Sequence, residues 1–156
     1  MVSATLRKAC RAISNMTAGN RSNLQRVIKA NLIPPLLHLL QDEDDYEAEV
    51  KWEAVCALSN ATIRGSNEQI KYPVDHGCIG PFCEHLLCED SRTVSLCLVG
   101  LKNILKVGEA EMSDGVNHYA QVIKEFNGFH NMENLQTRQD VGEMATKILV
   151  TYRERH

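Results

Sequence analysis

Apolar side chains along this chain follow the three-to-four-residue rhythm of helices, and the rhythm is broken at spaced glycines and prolines. The pattern then repeats. Residues 6–17, with Ala9-Cys10, Ile13-Ser14-Asn15 and Thr17, match residues 50–62, with Ala54-Val55-Cys56, Leu58-Ser59-Asn60 and Thr62. A weaker copy runs from Val94 to Leu105 and closes on Asn103-Ile104-Leu105. Asn15, Asn60 and Asn103 are separated by 45 and 43 residues. A second phase returns as well: Ile28–Leu40 corresponds to Val74–Leu87, and Pro35 aligns with Pro81. Proline is tolerated in the first turn of a helix, where its missing N–H would have no partner anyway, so both prolines read as helix openings. Pro73 stands where the pattern calls for an apolar helical residue, and that helix is expected to end or kink there.

A short helix, a proline-opened second helix and a long third helix carrying the asparagine, repeated within the ~40–47-residue band, make an armadillo unit rather than a two-helix HEAT unit. One such unit cannot bury its apolar face alone, so neighbours stack and share a continuous core. The expected fold is all-α, an armadillo-repeat right-handed superhelical solenoid of about three repeats plus a partial leading one. The expected divisions are a third helix at 1–19, repeats at 20–65 and 66–108, and a divergent capping repeat at 115–156. Opening inside a repeat reads as a missing neighbour, either because the chain is a fragment of a longer solenoid or because it is a shortened copy.

Ala9-Cys10, Ile13–Asn20, Ser59–Thr62, Glu68–Tyr72, Gly77-Cys78-Ile79 and Gly100–Glu109 together resemble the C-terminal armadillo repeats of the importin-α family. Tyr119-Ala120-Gln121 and Glu133–Gln136 are similar to the last repeat of its plant branch. The resemblance implies an adaptor, present in cytoplasm and nucleus, that carries cargo proteins with basic nuclear localisation signals. Its concave groove would read the signal as an extended peptide. It further implies groove helices of the pattern Glu-x-x-Trp-x-x-x-Asn. In that pattern aromatic faces flank Lys or Arg stems, the amide holds the peptide backbone, and the acid pairs with the cationic tip.

Aligned on that pattern, the asparagines are Asn15, Asn60 and Asn103, with Ser14 beside the first. The acid position holds Lys8 in the first helix and Glu53 in the second, and the tryptophan positions hold Arg11 and Cys56. Lys8, Arg11 and Asn15 are spaced i, i+3 and i+7 and share one helix face, which opposes a basic peptide by like charge. The local basic-peptide site is therefore expected to be weakened. The alternative is an armadillo scaffold for protein–protein interaction that has lost signal recognition. Asn15 and Asn60 have a second reading, as mid-helix amides bonded to a neighbouring repeat. Trp52, one turn before Cys56, reads as a packing aromatic between repeats. By the same resemblance the region of Leu135 and Gln136 would dock an exportin and nucleoporins, although Arg138, Arg153 and Arg155 follow where the family has acids. The importin-β-binding arm of the family lies outside this chain, so importin-β is not an expected partner.

Composition agrees with this picture and trims it. A 44% hydrophobic and 5% aromatic content supplies a core and favours helices over sheets. A formal charge of −3 gives no global pull toward nucleic acid or acidic membranes. The charge is uneven: residues 1–41 carry Arg7, Lys8, Arg11, Arg21, Arg26 and Lys29 with no acid, and residues 42–49 carry six acids with no base. The acidic run reads as a solvated loop leading into a helix N-terminus. The cations are scattered over two or three helices, so nucleic acid is not an expected partner. No apolar run reaches the ~20 residues of a membrane span, no signal-peptide pattern opens the chain, and no membrane partner is expected.

Six cysteines, Cys10, Cys56, Cys78, Cys83, Cys88 and Cys97, lie mostly within apolar helical patterns and read as reduced thiols, which suits cytosol or nucleus. His76, Cys78, Cys83, His85 and Cys88 form the one grouping that suggests zinc. Cys83 and His85 are two apart on a helix and point apart, and no second pair follows, so no metal or cofactor is expected. With no nucleophile elbow and no phosphate loop, no enzymatic activity is expected.

Overall fold

The computed structural model describes residues 2–41 and 48–153, so most of the acidic run expected to be a solvated loop, and Arg155, lie outside the described residues. The chain order is α1 (Val2–Thr17), α2 (Arg21–Lys29), α3 (Ile33–Gln41), α4 (Ala48–Arg64), α5 (Asn67–Asp75), α6 (Ile79–His85), α7 (Ser91–Ala110), α8 (His118–Glu125), α9 (Gly128–Leu135) and α10 (Gly142–Ile148), which runs on into a single π turn, Leu149–Arg153.

Local chemistry sets most of these boundaries. Asn20 Oδ1 accepts from the Asn23 amide at 2.8 Å to open α2. Ser66 and Gln69 form a reciprocal capping box at α5. Asp90 accepts from the Arg92 amide at the start of α7, and Asn117 accepts from the Ala120 amide at the start of α8. Such caps satisfy amides that have no partner inside the helix and contribute about 1 kcal/mol each. Pro34, Pro35 and Pro81 fall in first turns, as their missing N–H groups require. Pro73 does not end its helix: α5 continues two residues to Asp75, with Pro73 buried in the last turn and its carbonyl accepting from the Cys78 amide at 3.1 Å. A proline that close to the C-terminus forfeits one hydrogen bond without breaking a following turn.

One turn recurs three times. Asn31 (φ 60°), Gly77 (φ 96°) and Asn127 (φ 60°) each occupy the left-handed region in the link from one short helix to the next. Glycine meets no steric penalty there, and asparagine is among the few other residues that tolerate it.

Two compact units divide the chain, one up to Pro81 and one from Phe82. In the first, α1 and α3 lie along α4, and α2 touches α1, α4 and α5. Leu24, Val27, Leu36, Val55 and Leu58 are buried in its core. Polar side chains tie its edges: the Gln69 amide donates to the Arg21 carbonyl (2.9 Å) and to Gln25 Oε1 (3.1 Å), and the Tyr72 hydroxyl donates to Asn31 Oδ1 (3.2 Å). In the second unit α7 packs against α8 and α10, and α9 against α8, α10 and the π turn. Phe82, Leu98, Leu101, Ile104, Ile123 and Met132 fill that core. Gly100 makes room for the Phe82 ring, since a Cβ there would come within 2.7 Å of Phe82 Cε2. Two asparagines are buried with their hydrogen bonds made: Asn117 donates to the Leu105 carbonyl and Asn131 to the Cys83 carbonyl, each at 3.0 Å.

Candidate functional site

The residues singled out by the repeat lie on two neighbouring helices of the first unit and on one of the second. On α1, Lys8, Arg11 and Asn15 are all exposed, in the single stripe their spacing dictates. Ser14, next to that stripe, is 7% exposed and belongs to the interior. On α4, Glu53, Cys56 and Asn60 follow one another by three and four residues and line one face, half-buried. Trp52 is half-buried on the same helix. Asn103, on α7, is half-buried in the second unit.

The serine–threonine part of the two asparagine motifs repeats. In each, the threonine hydroxyl turns back onto the serine carbonyl of its own helix, Thr17 to Ser14 at 3.0 Å and Thr62 to Ser59 at 2.7 Å. The Asn60 amide nitrogen then reaches across to α1, donating to the Ser14 carbonyl (3.3 Å) and the Ser14 hydroxyl oxygen (3.4 Å). Of the two readings of Asn60, the structure shows the inter-helix bond. Ser14, taken as a groove residue, is the acceptor of that bond. Among the described residues nothing donates to Asn60 Oδ1, which leaves one acceptor able to take a peptide N–H.

The electrostatics differ between the two helices. α1 presents Lys8 and Arg11, with Arg7 alongside and also exposed, and no acid. α4 presents Glu49 and Glu53 one turn apart. The Cys10 thiol, buried on α1, has its pKa raised first by burial and then by the Glu53 carboxylate, which places that acid beside α1.

Of the thiols and imidazoles of the zinc-like grouping, two thiols lie in the core and one imidazole lies on the surface. Cys78 and Cys83 are fully buried, and burial, with help from Glu84, pushes the Cys83 thiol up to about 12. His76 is exposed, with its ring 4.2 Å from that of Tyr72. Among the described residues no three His, Cys, Asp or Glu side chains are grouped as metal ligands. Nor, among them, is any helix long and apolar enough to cross a membrane.

At the end of the chain Leu135 is 5% exposed, so this candidate docking residue is a core side chain instead. Gln136 is exposed and donates to Thr146 Oγ1 at 3.2 Å. Arg138 bonds Ser91 Oγ (3.0 Å) and Asp140 (3.1 Å), and Arg153 pairs with Glu133. Both arginines are engaged with this chain's own groups. The sequence reading did not single out the buried Asn117 and Asn131. For Asn117 a signal was present, since it stands directly before an amphipathic run as a helix cap does. For Asn131 nothing local announces a bond to a carbonyl 48 residues away.

The armadillo/beta-catenin-like repeat family matches residues 20–63. Importin subunit alpha-4 of Arabidopsis thaliana is 49% identical over 152 residues, covering 94% of this chain and 28% of that protein. Importin subunit alpha-1b of Oryza sativa subsp. japonica is 51% identical over 128 residues, covering 79% of this chain and 23% of that protein. The chain thus spans about a quarter of the length of these curated relatives. Among solved structures, a designed armadillo repeat protein in complex with the peptide (KR)4 aligns over 94% of this chain and 57% of its own, with a TM-score of 0.76 and 28% identity. A second designed armadillo repeat protein aligns equally well, at a TM-score of 0.76 and 28% identity over 94% of this chain.

Proposed function

The chain is an all-α armadillo chain of the importin-α type, plant-like in sequence, and from that premise we propose that it is the C-terminal part of a nuclear import adaptor whose local site for basic signal peptides is weakened. The repeat divisions at 20–65, 66–108 and 115–156, with a leading third helix at 1–19, belong to the same proposal. Its work is protein binding rather than catalysis, in cytoplasm and nucleus, on cargo that carries nuclear localisation signals.

The observation that carries the weakening is the exposed stripe of Lys8, Arg11 and Asn15. A lysine- and arginine-rich peptide laid along it meets two cations on α1, and on α4 it finds a thiol at Cys56 rather than a ring. Like-charge contacts at an interface oppose a partner by several kcal/mol, roughly, when desolvated. Glu53 and the acceptor oxygen of Asn60 remain to attract it, so the site is diminished rather than erased. A scaffold that has lost signal recognition altogether is the second reading, favoured by the Asn60 amide being held by Ser14.

Titration of a labelled monopartite basic peptide separates the readings. The natural chain is expected to bind far above the low-micromolar range. The combined variant Lys8→Glu, Arg11→Trp and Cys56→Trp is expected to bind at least about tenfold more tightly, as the repulsion goes and two π-faces arrive. Low-micromolar binding by the natural chain that Asn60→Ala abolishes would overturn the weakening. No gain in the triple variant favours the scaffold. Exportin and nucleoporin docking through the last helices is part of the adaptor reading, and there Gln136 is the surface residue available while Leu135 is not.

A further inference from the structure

In the second unit, α7 and the C-terminal helix enclose a recess of about 170 Å³ whose chemistry is unlike that of the α1–α4 face. Its floor is apolar: Ile148 and Tyr152 are buried and Met144 is half-buried. Its rim is three lysines, Lys102 and Lys106 from α7 and Lys147 from α10, with no acid in the lining.

We propose that this recess docks a short acidic segment of a partner protein, with one apolar side chain of that segment seated on the floor and flanking carboxylates paired to the three lysines. The proposal goes beyond the signal-peptide reading and does not rest on it.

Size, charge and shape argue for that occupant together. A cavity of roughly 150 Å³ lined by aliphatic and aromatic groups accommodates a benzene ring, so this recess is large enough for one Leu, Ile or Phe side chain. Lys102 and Lys106 are one helical turn apart and exposed, and neither has an ion pair among the described residues. Among the described residues Lys147 is ion-paired only with Glu143, at 3.3 Å, in a contact whose side chains are 75% and 84% exposed. A pair so open to water contributes little and yields readily to a competing carboxylate. Lysine stems also extend the apolar wall while keeping their ammonium groups at the rim, and Met144 can adjust its rotamer to the guest. A basic peptide is opposed by the three cations. Phosphate or nucleic acid would satisfy the lysines but has no group to place against Met144, Ile148 and Tyr152. An acidic segment with one apolar residue uses both parts.

The test is fluorescence anisotropy with a short labelled peptide of Glu and Asp around a single Leu, titrated with the full chain, read alongside methyl NMR of Met144 and Ile148. Saturable binding is expected, with shifts at those two methyls and none at Ile33 in the other unit. Lys102→Glu with Lys106→Glu is expected to weaken it at least about tenfold, and Lys147→Glu alone by a smaller factor. Replacing the peptide leucine by serine should also weaken it several-fold. These lysines are exposed, so thermal melts of the variants should match the parent. The proposal is overturned by absence of saturation, by shifts lying elsewhere, or by indifference to the lysine changes. Equal affinity of the serine peptide, or tighter binding of a duplex oligonucleotide or inorganic phosphate, overturns it too, because either result makes the site a general anion surface.

Discussion

Asn60 commits its amide nitrogen to Ser14 on the neighbouring helix and keeps its carbonyl oxygen available, so the residue most suggestive of ligand contact also ties α4 to α1. Replacing it with alanine removes a donor and leaves the Ser14 carbonyl with its bonds from Thr17 and Ala18. Neutral side-chain bonds of this kind contribute about 1 kcal/mol, and less where they are long and half-buried. Asn60→Ala is thus expected to lower unfolding stability by up to about 1 kcal/mol, read from the urea midpoint at unchanged m-value. A loss of several kcal/mol would mean that the bond holds more of the unit than its geometry indicates. The asparagine itself was legible because it recurs with the period. Its partner was not, since Ser14 lies 46 residues away and only the packing of α1 on α4 brings the two together.

Caps and turns govern the elements. The start of α8 depends on Asn117, which is fully buried, accepts from the Ala120 amide and donates to the Leu105 carbonyl of α7. Gly108 makes that possible: a Cβ there would overlap the Asn117 carboxamide, lying 2.9 Å from its Cγ. Gly108→Ala is accordingly expected to cost about 1–3 kcal/mol, the range for a buried polar group pushed off its partners, although alanine is the better helix former. Calorimetry checks this, and a melting temperature equal to or above the parent's would show that Asn117 can step aside freely. The prolines opening α3 and α6 were readable from the chain, and so was the conflict at Pro73. The outcome of that conflict, a helix continuing two residues further, depends on a buried Pro73 carbonyl that still finds the Cys78 amide.

At the scale of the whole molecule, buried thiols link the core to pH. Cys83 is pushed up to about 12, and Cys97 and Cys10 are also raised, in each case first by burial. In the unfolded chain these thiols release their protons near their ordinary value of 9.0, whereas the folded chain retains them. The unfolded state therefore binds fewer protons above that value, and stability falls as pH rises from about 9 through the folded value. Thermal melts across that window should show the decline, and Cys83→Ala should flatten it. A Tm independent of alkaline pH, with other titrations matched by the variant, would mean that these thiols are reached by solvent. The basic-peptide face of α1 and α4, proposed above to be weakened, and the lysine-rimmed recess in the second unit likewise belong to this scale, because each gathers residues from separate helices.

Helix class, the armadillo period and the proline-opened second helices were determined by sequence alone, because each is a local or periodic property of the chain, whereas Lys8, Arg11 and Cys56 stand out only against the pattern that the family resemblance implies. Only the tertiary structure decided that Ser14 is interior, that Leu135 is core, and that Asn60 bonds Ser14. It also decided that Lys102, Lys106 and Lys147 surround an apolar floor, since α7 and α10 are distant in the chain and meet only through packing. Spacing along one helix places a side chain on a face, and what that face meets is settled by the core that the helices bury together.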